Sequence, residues 1–214
     1  GLELQVDARV LVPRPDTEVL VNWAVSLLRG ALAAVDNPAV VDLGTGSGAI
    51  ALAVRHAHPA ARVVATDASA DALDVARANA QRLQLPIETA GGSWWQAVAG
   101  RRFALALSNP PYIASGDPHL AALHAEPGAA LVPGQTGLEA LEQIIDTAPA
   151  HLSPGAWLLL EHGFDQAEAV RGLAADWTRE FGDFLSRAGG ILRRAGEELK
   201  LLVGEKIFLG VKQR

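Results

Sequence analysis

From residue 39 onward, short and almost wholly apolar runs alternate with amphipathic ones. In order they read "AVVDL", "GAIALAVRHA", "ARVVATD", "SADALDVARANAQRL", a weaker "PIETA", "FALALS", "GLEALEQIIDTAPAHL", "AWLLLEHG" and "DQAEAVRGLAAD". A strand that is apolar on both sides must be covered on both faces, and the helices between such strands supply the cover. The pattern therefore predicts a doubly wound α/β fold, a mostly parallel sheet with helices on both faces. Parallel strands share one direction, so their carboxyl ends meet at one edge, where ligands of such folds bind.

Three strands end at that edge in polar or glycine-rich residues. "VVDLGTGSG" passes from Asp42 into Gly44, Thr45, Gly46, Ser47 and Gly48; "VVATD" ends at Asp67; "LALSNPPYIA" ends at Asn109, Pro110, Pro111 and Tyr112. Glycines between a strand and a helix permit a tight turn and close approach of a ligand, with the helix N-terminus adding N–H donors. The spacing is GxGxG rather than the dinucleotide GxGxxG, and a simple strand-to-helix turn would look the same. Asp67, 23 residues beyond Gly44, can accept hydrogen bonds from both hydroxyls of a ribose, or cap the helix that starts near Ser69. Two prolines stop the third strand. There the Asn109 carboxamide oxygen and the Pro110 carbonyl, freed by the turn, form a pair of acceptors suited to an NH2 group, and Tyr112 can stack on a planar group; a rigid turn is the other reading.

Upstream, Leu2, Leu4, Val6, Val10 and Val12 alternate around Asp7 to Arg9, which predicts a small β-hairpin. After Pro13 and Pro15, Asp16 or Thr17 can cap a helix carrying Val19, Leu20, Trp23, Leu27 and Leu28. The domain reading is thus a hairpin and linking helix over 1–38, a core over 39–176, and a tail over 177–214.

The chain has 214 residues, 50% of them apolar and 20% charged, which suits one globular unit with a single sizeable core. No run approaches the roughly 20 apolar residues of a membrane span, and no signal-peptide pattern opens the chain, so a cytoplasmic location is expected. The absence of cysteine excludes disulfides, thiolate metal sites and cysteine nucleophiles, and no metal is expected. There is no methionine, even at position 1, so the sequence reads as a fragment or a processed chain. Of the net charge of −6, residues 177–214 contribute eight Lys/Arg against five Asp/Glu, leaving an acidic body that disfavours a direct nucleic-acid partner.

These segments together resemble the release factor N5-glutamine methyltransferases, a family of class I enzymes that use S-adenosylmethionine. The resemblance rests on "VLVPRPDTEVLV", "VVDLGTGSGAIALAV", "SNPPYI", "DPHL", Glu126–Pro127 and "LLLEHG", over roughly residues 2 to 175. It implies a seven-stranded sheet and methyl transfer to a glutamine side-chain amide in the GGQ motif of a peptide chain release factor. It further implies that Gly44 to Gly48 surround the methionine part of the cofactor, Asp67 binds its ribose, Trp94 of "GGSWWQAV" lies beside the adenine, with core packing as its other reading, and Asn109 to Tyr112 hold the glutamine. Relatives often carry an acid where Ser93 stands here. Arg14, Thr17 and Glu18 would lie near the methionine end, with helix capping as the other reading of Thr17, while Glu161 and His162 read as structural rather than as a base. The family's N-terminal helical domain precedes the matched region, so the resemblance implies retained cofactor binding with weakened substrate affinity. The tail departs from the family except for "ELKLLVG" and "EKIFLGV", a candidate closing hairpin. NPPY is shared with adenine-N6 methyltransferases, which leaves a nucleic-acid amino group as an alternative acceptor and a cofactor-binding module without turnover as a third reading.

Overall fold

A computed structural model describes residues 1–123, 126–173 and 206–212 of the chain. Five parallel strands, β1 (Ala39–Leu43), β2 (Arg62–Asp67), β3 (Glu88–Gly91), β4 (Phe103–Ser108) and β5 (Leu152–Gly163), lie in the order β3-β2-β1-β4-β5. A sixth, β6 (Lys206–Lys212), runs antiparallel to β5 within "EKIFLGV". The described residues thus hold six strands where the resemblance implies seven, and "ELKLLVG" lies outside them. The strand order reverses between β1 and β4, whose carboxyl ends are aligned by the pairing of Leu43 with Ser108.

Alternate residues of each strand feed opposite faces, as the two-residue period of a strand requires. Val41, Ala106, Leu158 and Leu160 join Trp95 and the buried face of α4 (Glu139–Thr147) in one core. Val40, Leu105, Leu107 and Leu159 join α1 (Thr17–Arg29) and α2 (Ala49–Ala57) in the other. Fully buried leucines and isoleucines of this kind each contribute about 1.5–3 kcal/mol by leaving water. The helix α3 (Ala70–Leu83) packs on β2, and Gly48 lets it approach α2: a Cβ there would stand 3.1 Å from Leu52 and 3.3 Å from Ala76. A short α5 (Ala167–Leu173) completes the layers. No helix among the described residues is long and apolar enough to cross a membrane.

The expected N-terminal hairpin does not form. A turn is present, with the Val10 N–H donating to the Asp7 carbonyl at 3.2 Å, but the arms on either side of it do not pair. The first arm is instead held by α3, because the Gln5 N–H and carbonyl both bond the carboxamide of Asn79, which is fully buried. Asn79 Nδ2 also donates to the Ser47 carbonyl at 3.0 Å, so one side chain ties the N-terminal strap to the glycine loop.

Asn79→Ala removes all three bonds and leaves the Ser47 carbonyl buried without this donor, a loss of about 2 kcal/mol. Urea denaturation is expected to show that loss, and trypsin is expected to cleave after Arg9 faster than in the parent. Unchanged stability and cleavage would mean that the strap is held by other contacts.

Candidate active site

Beyond the carboxyl ends of β1, β2 and β4 lies a cavity of about 490 Å³, within the range of small-molecule sites. Gly44, Thr45, Gly46, Ser47, Asp67, Trp94, Asn109 and Pro111 line it, together with Thr17, Val10 and Leu11 of the N-terminal segment and Pro127, Ala129 and Ala130. Of the sequence-predicted residues, Gly48, Pro110 and Tyr112 stand outside this lining. Gly48 serves helix packing, as described above.

The glycine loop offers close approach more than donors. Gly44 has φ +73° and a Cβ on it would press on the Trp94 ring at 3.1 Å, whereas Gly46, φ +54°, would project a Cβ into open space. Only glycine takes such backbone at no steric cost. The N–H groups of Thr45, Gly46 and Gly48 are already engaged, by the Thr66 carbonyl, by Asp67 and by the Thr45 carbonyl. Asp67 does not cap α3, a role taken by the Ser69 hydroxyl, which accepts from the Ala72 N–H. Its two oxygens each accept one backbone N–H, from Gly46 and Ser69, at 2.9 Å. A carboxylate has about four acceptor sites, so Asp67 retains capacity towards the cavity.

The paired tryptophans divide their work. Trp95 is buried, donates to the Ile144 carbonyl at 2.8 Å and stacks on His151 with centroids 5.0 Å apart. Trp94 instead turns to the cavity wall on a backbone of φ +46°, unusual for a bulky residue and the kind of local cost found at ligand sites.

At the end of β4, Asn109 Nδ2 donates to Thr17 Oγ1 at 3.2 Å. Thr17 is buried and does not cap α1: its hydroxyl donates to Glu161 Oε2 at 2.8 Å, and Asp16, at the cap position, makes no side-chain cap bond. The Tyr112 hydroxyl donates to Glu161 Oε1 at 3.3 Å. Neither Asn109 Oδ1 nor the Pro110 carbonyl accepts a hydrogen bond from the described residues. The loop that carries them is stapled by Gln166, which bonds the Tyr112 and Gly137 carbonyls and the Gly163 N–H; Gly137, φ +79°, must lack a Cβ because one would fall 2.5 Å from the Tyr112 oxygen. Sequence reasoning missed Gln166. Arg14 pairs with Glu126 and does not line the cavity, and Glu18 is exposed on α1. His162 is buried, its Nδ1–H donating to the Gly163 carbonyl, and desolvation holds its imidazole below the ordinary range, so it rests neutral.

The family model for the methyltransferase small domain matches residues 21–126. The chain is 50% identical over 175 residues to the release factor glutamine methyltransferase of Xylella fastidiosa, covering 80% of this chain and 62% of that protein. It is 45% identical over 210 residues to that of Burkholderia pseudomallei, covering 93% of this chain and 72% of that protein. The chain thus spans less than two thirds of the first relative's length. Among solved structures, a methyltransferase from Pyrococcus furiosus shares the fold, with a TM-score of 0.63 and 16% identity over 100% of this chain and 89% of the other.

Beneath the loop, Asp42 is fully buried, with Oδ2 accepting from Thr45 Oγ1 at 2.6 Å and the Ala51 N–H at 3.2 Å, and Oδ1 without a partner among the described residues. Desolvation pushes its carboxyl up to about 7 from 3.8, against the pull of those two bonds. The native state therefore keeps a proton that the unfolded chain has released. This contribution to stability is complete below the unfolded value and is lost as pH rises from 3.8 towards 7, a loss of up to about 4 kcal/mol. Asp42→Asn keeps the acceptor and removes the titration. Its melting temperature relative to the parent is expected to rise between pH 4.5 and pH 7.5; a constant difference would show that Asp42 titrates normally.

Proposed function

The chain belongs to the release factor glutamine methyltransferase family, and from that premise we propose that it methylates the side-chain amide nitrogen of a glutamine in a peptide chain release factor, with S-adenosylmethionine as the methyl donor. Residues 39–176 form the cofactor-binding core of this reading. The observation that carries it is the pair of unspent acceptors, Asn109 Oδ1 and the Pro110 carbonyl, at a strand end beside a glycine-lined cavity.

The cavity suits the cofactor. Its size, the spare acceptor capacity of Asp67 for a ribose diol, the Trp94 ring for a flat base and the space left by Gly46 for a closely approaching chain support this fit. When bound, S-adenosylmethionine supplies an electrophilic methyl group on a sulfonium. Every other requirement falls on the chain's own residues.

An amide nitrogen is a weak nucleophile because its lone pair is delocalised into the carbonyl. Asn109 Oδ1 and the Pro110 carbonyl accept the two N–H bonds of the substrate amide, which raises electron density on nitrogen and fixes its direction of attack. Both effects are positioning and electrostatic, and they favour the transition state over free substrate. Pro110 and Pro111 hold the two acceptors at a fixed spacing, because their rings restrict φ and neither has an N–H to donate. Tyr112 stands outside the cavity lining, against the expectation that it stacks on the amide, and steadies the loop through its hydroxyl on Glu161. No base is needed until the nitrogen has gained its methyl group and become acidic.

Mass spectrometry of a release factor incubated with the chain and S-adenosylmethionine is expected to show one added methyl group on a glutamine. Transfer to adenine-containing DNA instead would overturn the reading. Asn109→Ala is expected to reduce turnover by roughly 100-fold or more while cofactor affinity, measured by calorimetry, changes only slightly. Turnover close to that of the parent would refute the role given to Asn109.

A further inference from the structure

A carboxamide can face a ligand with either its oxygen or its NH2, and the two choices have opposite consequences for a site that must grip an NH2 group. In this chain the choice is made by a carboxylate that does not line the cavity. Glu161 is fully buried in β5, where the pairing of Ser108 with Leu160 brings it level with Asn109 across the β4–β5 ladder. Its Oε2 accepts the single proton of the Thr17 hydroxyl at 2.8 Å. Having given that proton away, Thr17 Oγ1 can only accept from Asn109, so the atom that faces it at 3.2 Å is Nδ2. Oδ1 must then face the other way. Glu161 Oε1 meanwhile accepts the Tyr112 hydroxyl at 3.3 Å, so the same carboxylate holds the other side of the loop.

We propose that Glu161, acting through Thr17, is the positioning residue that sets the polarity of the amide clamp: it compels Asn109 to present an acceptor, and so selects an NH2-bearing substrate. The inference rests on the proposed glutamine methylation and adds to it the device that determines which face of Asn109 the substrate meets. A carboxylate is the side chain suited to the task, because both of its oxygens accept and neither donates. A glutamine in its place has one acceptor and one donor. Where its NH2 faced Thr17, the threonine proton would be released towards Asn109 and the carboxamide would turn over, confronting the substrate NH2 with another NH2.

The test compares Glu161→Gln, Thr17→Val and Thr17→Ser with the parent, measuring kcat for glutamine methylation, cofactor affinity by calorimetry, and the side-chain NH2 resonances of Asn109 by NMR. Thr17→Val preserves volume in a buried position and removes the hydroxyl, whereas Thr17→Ser preserves the hydroxyl and loses a methyl group. A packing role would favour valine and the relay favours serine. The expected result is a fall in kcat of about 30-fold or more in Glu161→Gln and Thr17→Val, recovery of most of it in Thr17→Ser, and cofactor affinity within about threefold throughout. The Asn109 resonances are expected to shift in the first two variants and to stay near the parent's in the third. Valine performing as well as serine, or Glu161→Gln with the parent's kcat and Asn109 resonances, would overturn the proposal. If the parent itself methylates no glutamine, the proposed function fails separately, and the Asn109 resonances alone decide whether Glu161 sets the amide: shifts in Glu161→Gln and Thr17→Val support it, and unmoved resonances overturn it.

Discussion

Parallel strands cannot be joined by tight turns, so each crossover returns the chain to the same starting edge and leaves every carboxyl end on the opposite one. This constraint organises the molecule. The ends of β1, β2, β4 and β5 deliver Gly44, Asp67, Asn109 and Glu161 to one edge, although 117 positions separate the first from the last. The reversal of strand order between β1 and β4 leaves a crevice there, because the segments that follow the two strands depart to opposite faces of the sheet. The interior of the sheet is apolar on both faces, so the polar residues of these strands gather at the only place where their hydrogen bonds can be met.

Two of those residues are buried acids, and they are handled differently. Asp42 has one oxygen bonded and the other without a partner among the described residues, and desolvation dominates, so it holds its proton to about neutral pH. Glu161 has a hydroxyl on each oxygen, from Thr17 and Tyr112. Burial of an acid is tolerated either by keeping it neutral or by surrounding the charge with donors. The first solution suits a group that supports the glycine loop from beneath. The second organises its surroundings, since each donor commits its only proton to the carboxylate and is left able only to accept.

The sheet was legible in the sequence because its signal is local: β1 and β4 have the bounds of the apolar runs "AVVDL" and "FALALS". The glycine loop, Asp67 and Asn109 stand out in the sequence for the same reason, as each follows the end of a strand, whereas Trp94 is pointed to by the family resemblance alone; the structure brings all of them to one cavity. The N-terminal hairpin was misread because alternation in residues 2 to 12 indicates an extended arm without saying what pairs with it, and the partner is a side chain 74 positions away, Asn79. Helix capping is one of two readings of Thr17 in the sequence, and it fails because the hydroxyl is claimed by a residue 144 positions away. Glu161 reads as structural in the sequence because Asn109 and Pro110 already account for the chemistry; its two partners come from α1 and from the loop after β4, and only the register of β4 with β5 brings them together. A rule that ranks polar residues at the ends of adjacent strands together would have paired Asn109 with Glu161.

The same geography suits a neutral amide, rather than a second acid, to the proposed clamp. A carboxylate at position 109 would offer acceptors in every direction and would have no N–H to give Thr17 Oγ1. With asparagine, Glu161 stays behind Thr17 and reaches the cavity only through a chain of hydrogen bonds. Such chains polarise their members in one direction: a threonine hydroxyl that donates to a carboxylate is a better acceptor, and an amide that donates to that hydroxyl carries more negative charge on its oxygen. Asn109 Oδ1 thereby gains acceptor strength without bringing net charge into the cavity. The acceptor keeps a single direction, as the proposed reaction, which depends on aligning one nitrogen lone pair, requires.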